Sequence, residues 1–94
     1  MLTMHRRAEH SLVIFLGSYQ LICHAARSRG TDATWSADWR IEQIGMGRKR
    51  GELAGATLAR TFPDDRSAMS AARSAGMVTL EVMHAEAQRQ LDYS

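Results

Sequence analysis

From Tyr19 onward the chain alternates, with Tyr19, Leu21, Cys23 and Ala25 on one side and Gln20, Ile22, His24 and Ala26 on the other. A period of two belongs to a strand with one buried face. The pattern returns more strongly in residues 34–44, where Trp35, Ala37, Trp39 and Ile41 alternate with Ser36, Asp38, Arg40 and Glu42. A one-residue slip there would turn both tryptophans to water, so the register is tightly specified. Ahead of these two segments, Leu-Val-Ile-Phe-Leu at residues 12–16 is β-branched and aromatic and favours extended chain. Gly17-Ser18 then reads as a bend or bulge inside one longer strand rather than a full turn. Gly30 and Asp32 mark a hairpin loop, and Gly45, Gly47 and Gly51 frame the basic tripeptide Arg48-Lys49-Arg50 in a second one. Residues 53–62 form the third strand, which Pro63 ends.

The spacing changes after Pro63. Asp64 or Asp65 is placed to cap a helix, along which Ala68, Ala71, Ala72 and Ala75 make a narrow stripe of small side chains. Such a stripe lets a helix lie close to a sheet. Gly76 fits a helix terminator, so residues 77–83 read either as a short last strand or as helix continued through Gly76. Residues 84–91 are good helix formers. The prediction is an α+β domain: a three-stranded antiparallel sheet packed against one main helix, with a further C-terminal helix or short strand. Residues 1–11 form a flexible basic lead-in, 12–83 the β-β-β-α domain and 84–94 a helical tail.

Composition narrows this picture. Ninety-four residues make one domain, and 45% hydrophobic with 23% charged residues is ordinary for a globular one. Residues 1–50 carry eight Lys/Arg against four Asp/Glu, and residues 51–94 four against six. Every basic residue except Lys49 is arginine. Arginine suits phosphate or carboxylate recognition through its planar fork of donors, but the same bias arises from GC-rich coding. A single cysteine, Cys23, allows no intrachain disulfide and fits a reducing compartment. The longest apolar run, residues 12–16, falls far short of the roughly 20 residues that span a bilayer. Residues 6–16 also lack the length and cleavage pattern of a signal peptide. The expected location is the cytoplasm.

Candidate chemistry is sparse. Cys23 and His24 are neighbours on a strand, so they point to opposite faces and make no dyad. His5, His10, His24 and His84 contain no i, i+4 pair, which leaves no zinc motif and no expected metal or cofactor. Asp64 and Asp65 are accounted for by a helix N-terminus. Gly45-x-Gly47 with the following basic run lacks the spacing of a phosphate-binding loop. Electrostatics gives the remaining candidate, a nucleic-acid contact through Arg27, Arg29, Arg48, Lys49 and Arg50, set against a merely solvated loop. Trp35 and Trp39 share the apolar side of their strand, which favours a core role over base stacking.

The order of landmarks carries a resemblance. Gly17, Tyr19 and Leu21 precede Trp35-x-Ala37-x-Trp39-x-Ile41, then Phe62 and an Asp-capped helix with Ala68, Ala71, Ala72, Ala75 and Gly76. This resembles a group of small bacterial one-domain proteins of β-β-β-α order, and the resemblance implies a fold and no activity. The same order resembles the three-stranded DNA-binding domains of the AP2 and integrase-arm type, whose exposed sheet face is rich in arginine and tryptophan. Here that face is Ser36, Asp38, Arg40 and Glu42, and both tryptophans lie opposite. The reading that follows is a non-enzymatic interaction module, a homodimer that buries the bare sheet face around Ile22 and residues 12–16. The alternative is a nucleic-acid-binding protein using the 45–51 loop. A third reading is a sensor that holds a small molecule or a peptide in the gap between sheet and helix.

Overall fold

The computed structural model describes residues 9–28, 33–44 and 52–92. Among them, β1 (Glu9–Leu16), β2 (Tyr19–Arg27), β3 (Trp35–Gln43) and β4 (Glu52–Thr57) precede one helix, α1 (Asp65–Asp92). The strands form an antiparallel meander in chain order, and α1 lies across one face, over β2 and β3. The thinnest dimension is 16 Å, the thickness of one sheet and one helix. The α+β class agrees with the pattern of the chain, but the sheet has four strands and not three.

The extra strand comes from Gly17-Ser18. Leu16 faces Tyr19 directly and Gly17 has φ +60°, so these two residues are the centre of a tight hairpin with glycine at its first position. The bulge reading of Gly17-Ser18 is therefore corrected. Inward positions shift from even (Leu12, Ile14, Leu16) to odd (Tyr19, Leu21, Cys23) across this point. A bulge and a two-residue turn absorb that shift equally well, and the left-handed glycine decides for the turn. β1 also starts at Glu9, within the stretch read as a flexible lead-in, with Glu9 facing Ala26 and His10 facing Ala25.

β3 takes the expected register, with Ala37 and Ile41 buried and Trp35 and Trp39 half-buried on the same side. β4 is shorter than residues 53–62. Its ladder shifts between Ile41–Ala54 and Glu42–Glu52, which leaves Leu53 as an inserted residue. Beyond the strand, Phe62 returns to exchange two backbone hydrogen bonds with Trp35, at 2.8 and 2.9 Å.

α1 runs unbroken for 28 residues through Gly76, so Gly76 is no terminator and residues 77–83 are helix. The tail from residue 84 belongs to the same helix as far as Asp92. Gly76 is explained by what lies under it: a Cβ there would stand 2.5 Å from Leu21 Cδ1. Ala68, Ala72, Gly76 and Leu80 are the buried residues of the helix, and they recur at every fourth position on the face toward the sheet. They meet Leu21, Cys23 and Ala25 of β2 and Ala37 and Ile41 of β3 in one core, with Met69, Met77 and Met83 packed around it. Among the described residues, no helix is long and apolar enough to cross a membrane.

The helix begins as the sequence requires, with Asp64 as the cap: Ser67 N–H donates to Asp64 Oδ1 at 2.7 Å. The backbone and side-chain hydrogen bonds from Ser67, aided by the charge of Arg66, hold the Asp64 carboxyl below its usual range. A carboxyl depressed in the folded state stabilises above its unfolded pKa, and that contribution disappears as pH falls through the folded value. Asp64→Ala is therefore expected to lower the melting temperature at neutral pH and to narrow the gap from wild type in strong acid. Asp64→Asn, which keeps the cap without the charge, should retain most of the neutral-pH stability. Thermal melts by circular dichroism at pH 2 and pH 7 check both; an unchanged neutral-pH melt in Asp64→Ala would count against the capping role.

Candidate functional site

The outward face of the sheet carries polar pairs on β2 and β3 and an apolar cluster on β1. His24 Nε2 lies 2.9 Å from Glu9 Oε1, and its Nδ1 lies 3.5 Å from Asp38 Oδ1. Gln20 Nε2 and Arg40 Nε both donate to the Glu42 carboxylate at 3.0 Å. Val13 and Phe15 stand beside these groups at 43% and 64% exposure, and Ile22, opposite Val13, is half-buried. Three carboxylates, those of Glu9, Asp38 and Glu42, thus sit among the basic groups of this face. Cys23 points the other way, into the core, and burial pushes its thiol pKa up, partly opposed by the charge of Arg73. Among the described residues, no group of three His, Cys, Asp or Glu side chains is placed to hold a metal.

Of the five basic residues singled out in the sequence, the structure describes Arg27. Arg27 is exposed at the end of β2, opposite Trp35. Arg29, Arg48, Lys49 and Arg50 lie outside the described residues. The far end of β3, Gln43, is eight residues from Trp35, the partner of Arg27, or about 26 Å at ~3.3 Å per strand residue. Trp35 and Trp39 lie on the helix side, so neither is presented on the open face.

Two features remain, and both involve β1. The first is its outer edge. Ile44 N–H donates to Ser18 O, so the even-numbered residues of β2 turn their amides to β3 and the odd-numbered ones to β1. By the β1–β2 register, the amides of Leu12 and Ile14 face β2, whereas those of Ser11, Val13 and Phe15 point away from the sheet.

The second feature is a cleft of about 640 Å³ between β1 and the first half of α1. Because α1 stands over β2 and β3, the inward face of β1 is only partly covered, and Leu12 stays 36% exposed. Leu12 and Met69 give the cleft an apolar floor. Its helical wall is Arg66, Ser70, Arg73 and Met77, which succeed one another at intervals of four, three and four and so share one flank. At its mouth the His10 ring stacks on Trp35 with centroids 5.5 Å apart, and His10 Nε2 lies 2.9 Å from Asp65 Oδ2. Among the described residues, neither Arg66 nor Arg73 has a carboxylate within ion-pairing distance. The four-three-four spacing beside the alanine stripe was the available sequence signal for this wall; it passes unnoticed when a helix is scanned only for its buried face.

Set beside known proteins, the chain matches no family model, no curated protein and no solved structure.

Proposed function

We propose that this chain is a non-enzymatic self-associating module in which β1 pairs antiparallel with β1 of a second copy. The observation that carries this reading is the contrast between the two edges of the sheet. β4 is short, shifted in register and interrupted by Gly55, which are common ways of blunting an edge. β1 is eight residues long and in unbroken register with β2, has no proline, and bears one carboxylate at its far end and five apolar residues. An edge of that kind invites another strand.

β1 is also complementary to itself. With a two-fold axis at Val13, Val13 meets its own copy, Leu12 meets Ile14 and Ser11 meets Phe15, so no like charges oppose. The outward amides of Ser11, Val13 and Phe15 would supply about six inter-chain hydrogen bonds, each pair exchanging two. At about 1 kcal/mol each these do not alone offset the ~4–15 kcal/mol cost of association. Cross-strand apolar pairs add about 0.2–1 kcal/mol each. The dimer is therefore one whose population rises with concentration.

Proline at position 13 separates fold from association. The Val13 amide points away from β2, so Val13→Pro removes no bond of the β1–β2 ladder and blocks the centre of the new one. Light scattering from low to high micromolar protein should give a dimer for wild type and a monomer for Val13→Pro, with matching circular dichroism. A wild-type monomer throughout, or a dimer that survives Val13→Pro, would overturn the proposal.

A further inference from the structure

We propose that the cleft between β1 and α1 binds a small amphipathic anion, an acid headgroup on an apolar body. Its volume of about 640 Å³ suits a small organic ligand. The chemistry of the lining divides cleanly. Leu12, Met69 and Met77 offer apolar contact, and the two methionines can adapt to an irregular chain. Arg66 and Arg73, on one side of α1 and two turns apart, present guanidinium groups with no carboxylate within ion-pairing distance among the described residues, although Arg66 also lies in the field of Asp64. The acidic group of the lining, Asp65, is engaged by His10. The cleft is thus net positive whether or not His10 is protonated.

Position supports this division. Arg73 is close enough to Cys23 to oppose the effect of burial on that thiol, and Cys23 is the residue paired with Leu12. A headgroup between Arg66 and Arg73 would leave its chain against Leu12, Met69 and Met77. Charge-assisted hydrogen bonds to an arginine contribute about 1.5–3 kcal/mol each, which is roughly ten- to a hundred-fold in affinity. The site lies above the sheet plane, whereas a strand added at β1 enters within that plane, so this inference stands apart from self-association.

The test is titration of the full chain with laurate below its micellar concentration, beside dodecyltrimethylammonium, which has the same tail and the opposite charge. Laurate should bind saturably at one per chain, lose affinity as salt is added, and bind at least about ten-fold more weakly to the double variant Arg66→Gln/Arg73→Gln. Both arginines are exposed, so the variant should melt like wild type. Dodecyltrimethylammonium should not bind. Equal binding of the two amphiphiles, unchanged binding by the variant, or no saturable laurate binding would each overturn the assignment. Light scattering on the same samples, with Val13→Pro included, reports self-association separately: a monomer that still binds laurate refutes only the dimer.

Discussion

Truncating Leu80 to alanine is expected to cost about 2–5 kcal/mol of folding free energy. A chain of 94 residues has roughly 5–14 kcal/mol in total, so this one side chain carries a large share. The reason is the composition of the buried helix face. Ala68, Ala72 and Gly76 bring the helix close to the sheet but remove little apolar surface from water, and Leu80 is the one large fully buried side chain that α1 contributes. Its loss leaves a cavity against a helix that has few other anchors. Urea unfolding followed by circular dichroism should show a much lower midpoint for Leu80→Ala. Leu91→Ala, at a position 65% exposed, should stay within about 0.5 kcal/mol of wild type. A Leu80→Ala midpoint equal to that of the Leu91 control would show that the helix is held elsewhere.

Gly76→Ala is expected to destabilise, against the direction of helix propensity. Propensity alone favours alanine by about 1 kcal/mol in a helix interior. The added methyl would approach Leu21 Cδ1 to 2.5 Å and Cδ2 to 3.0 Å, and Leu21 is itself fully buried and has little room to turn. Overpacking of this kind costs about 1–3 kcal/mol, so the net change is a loss of up to about 2 kcal/mol. The sign should reverse once Leu21 is shortened: in a Leu21→Ala background, Gly76→Ala should be neutral or stabilising. Urea unfolding of the four members of this cycle measures the coupling directly. A single Gly76→Ala variant more stable than wild type would show that Leu21 yields easily and that the close approach matters little.

The two strands with strict alternation were legible in the sequence, down to which residues face inward. Trp35, Ala37, Trp39 and Ile41 could be placed because one face had to leave water. The helix cap at Asp64 was legible for a similar reason, since helix N-terminal amides need a nearby acceptor. Gly17 and Gly76 were not. Each is a glycine whose meaning depends on a tertiary neighbour or a backbone angle, and a residue without a side chain leaves no pattern by which to tell a turn from a bulge, or a close approach from a stop. The cleft was hidden for a further reason. Periodicity gives the face of an element but not its lateral position, and the cleft exists because α1 settles over β2 and β3 and leaves β1 only partly covered.

The placement of Cys23 has a practical meaning. The thiol lies in the seam between β2 and α1, fully covered on the sheet side and the helix side. A thiol-directed reagent can reach it only when the helix parts from the sheet, and burial also keeps it in the less reactive protonated form. The rate at which native protein is labelled is then the rate of that opening, or its equilibrium frequency when reclosure outruns the chemistry. The chain carries its own timer of helix undocking, with no label to introduce.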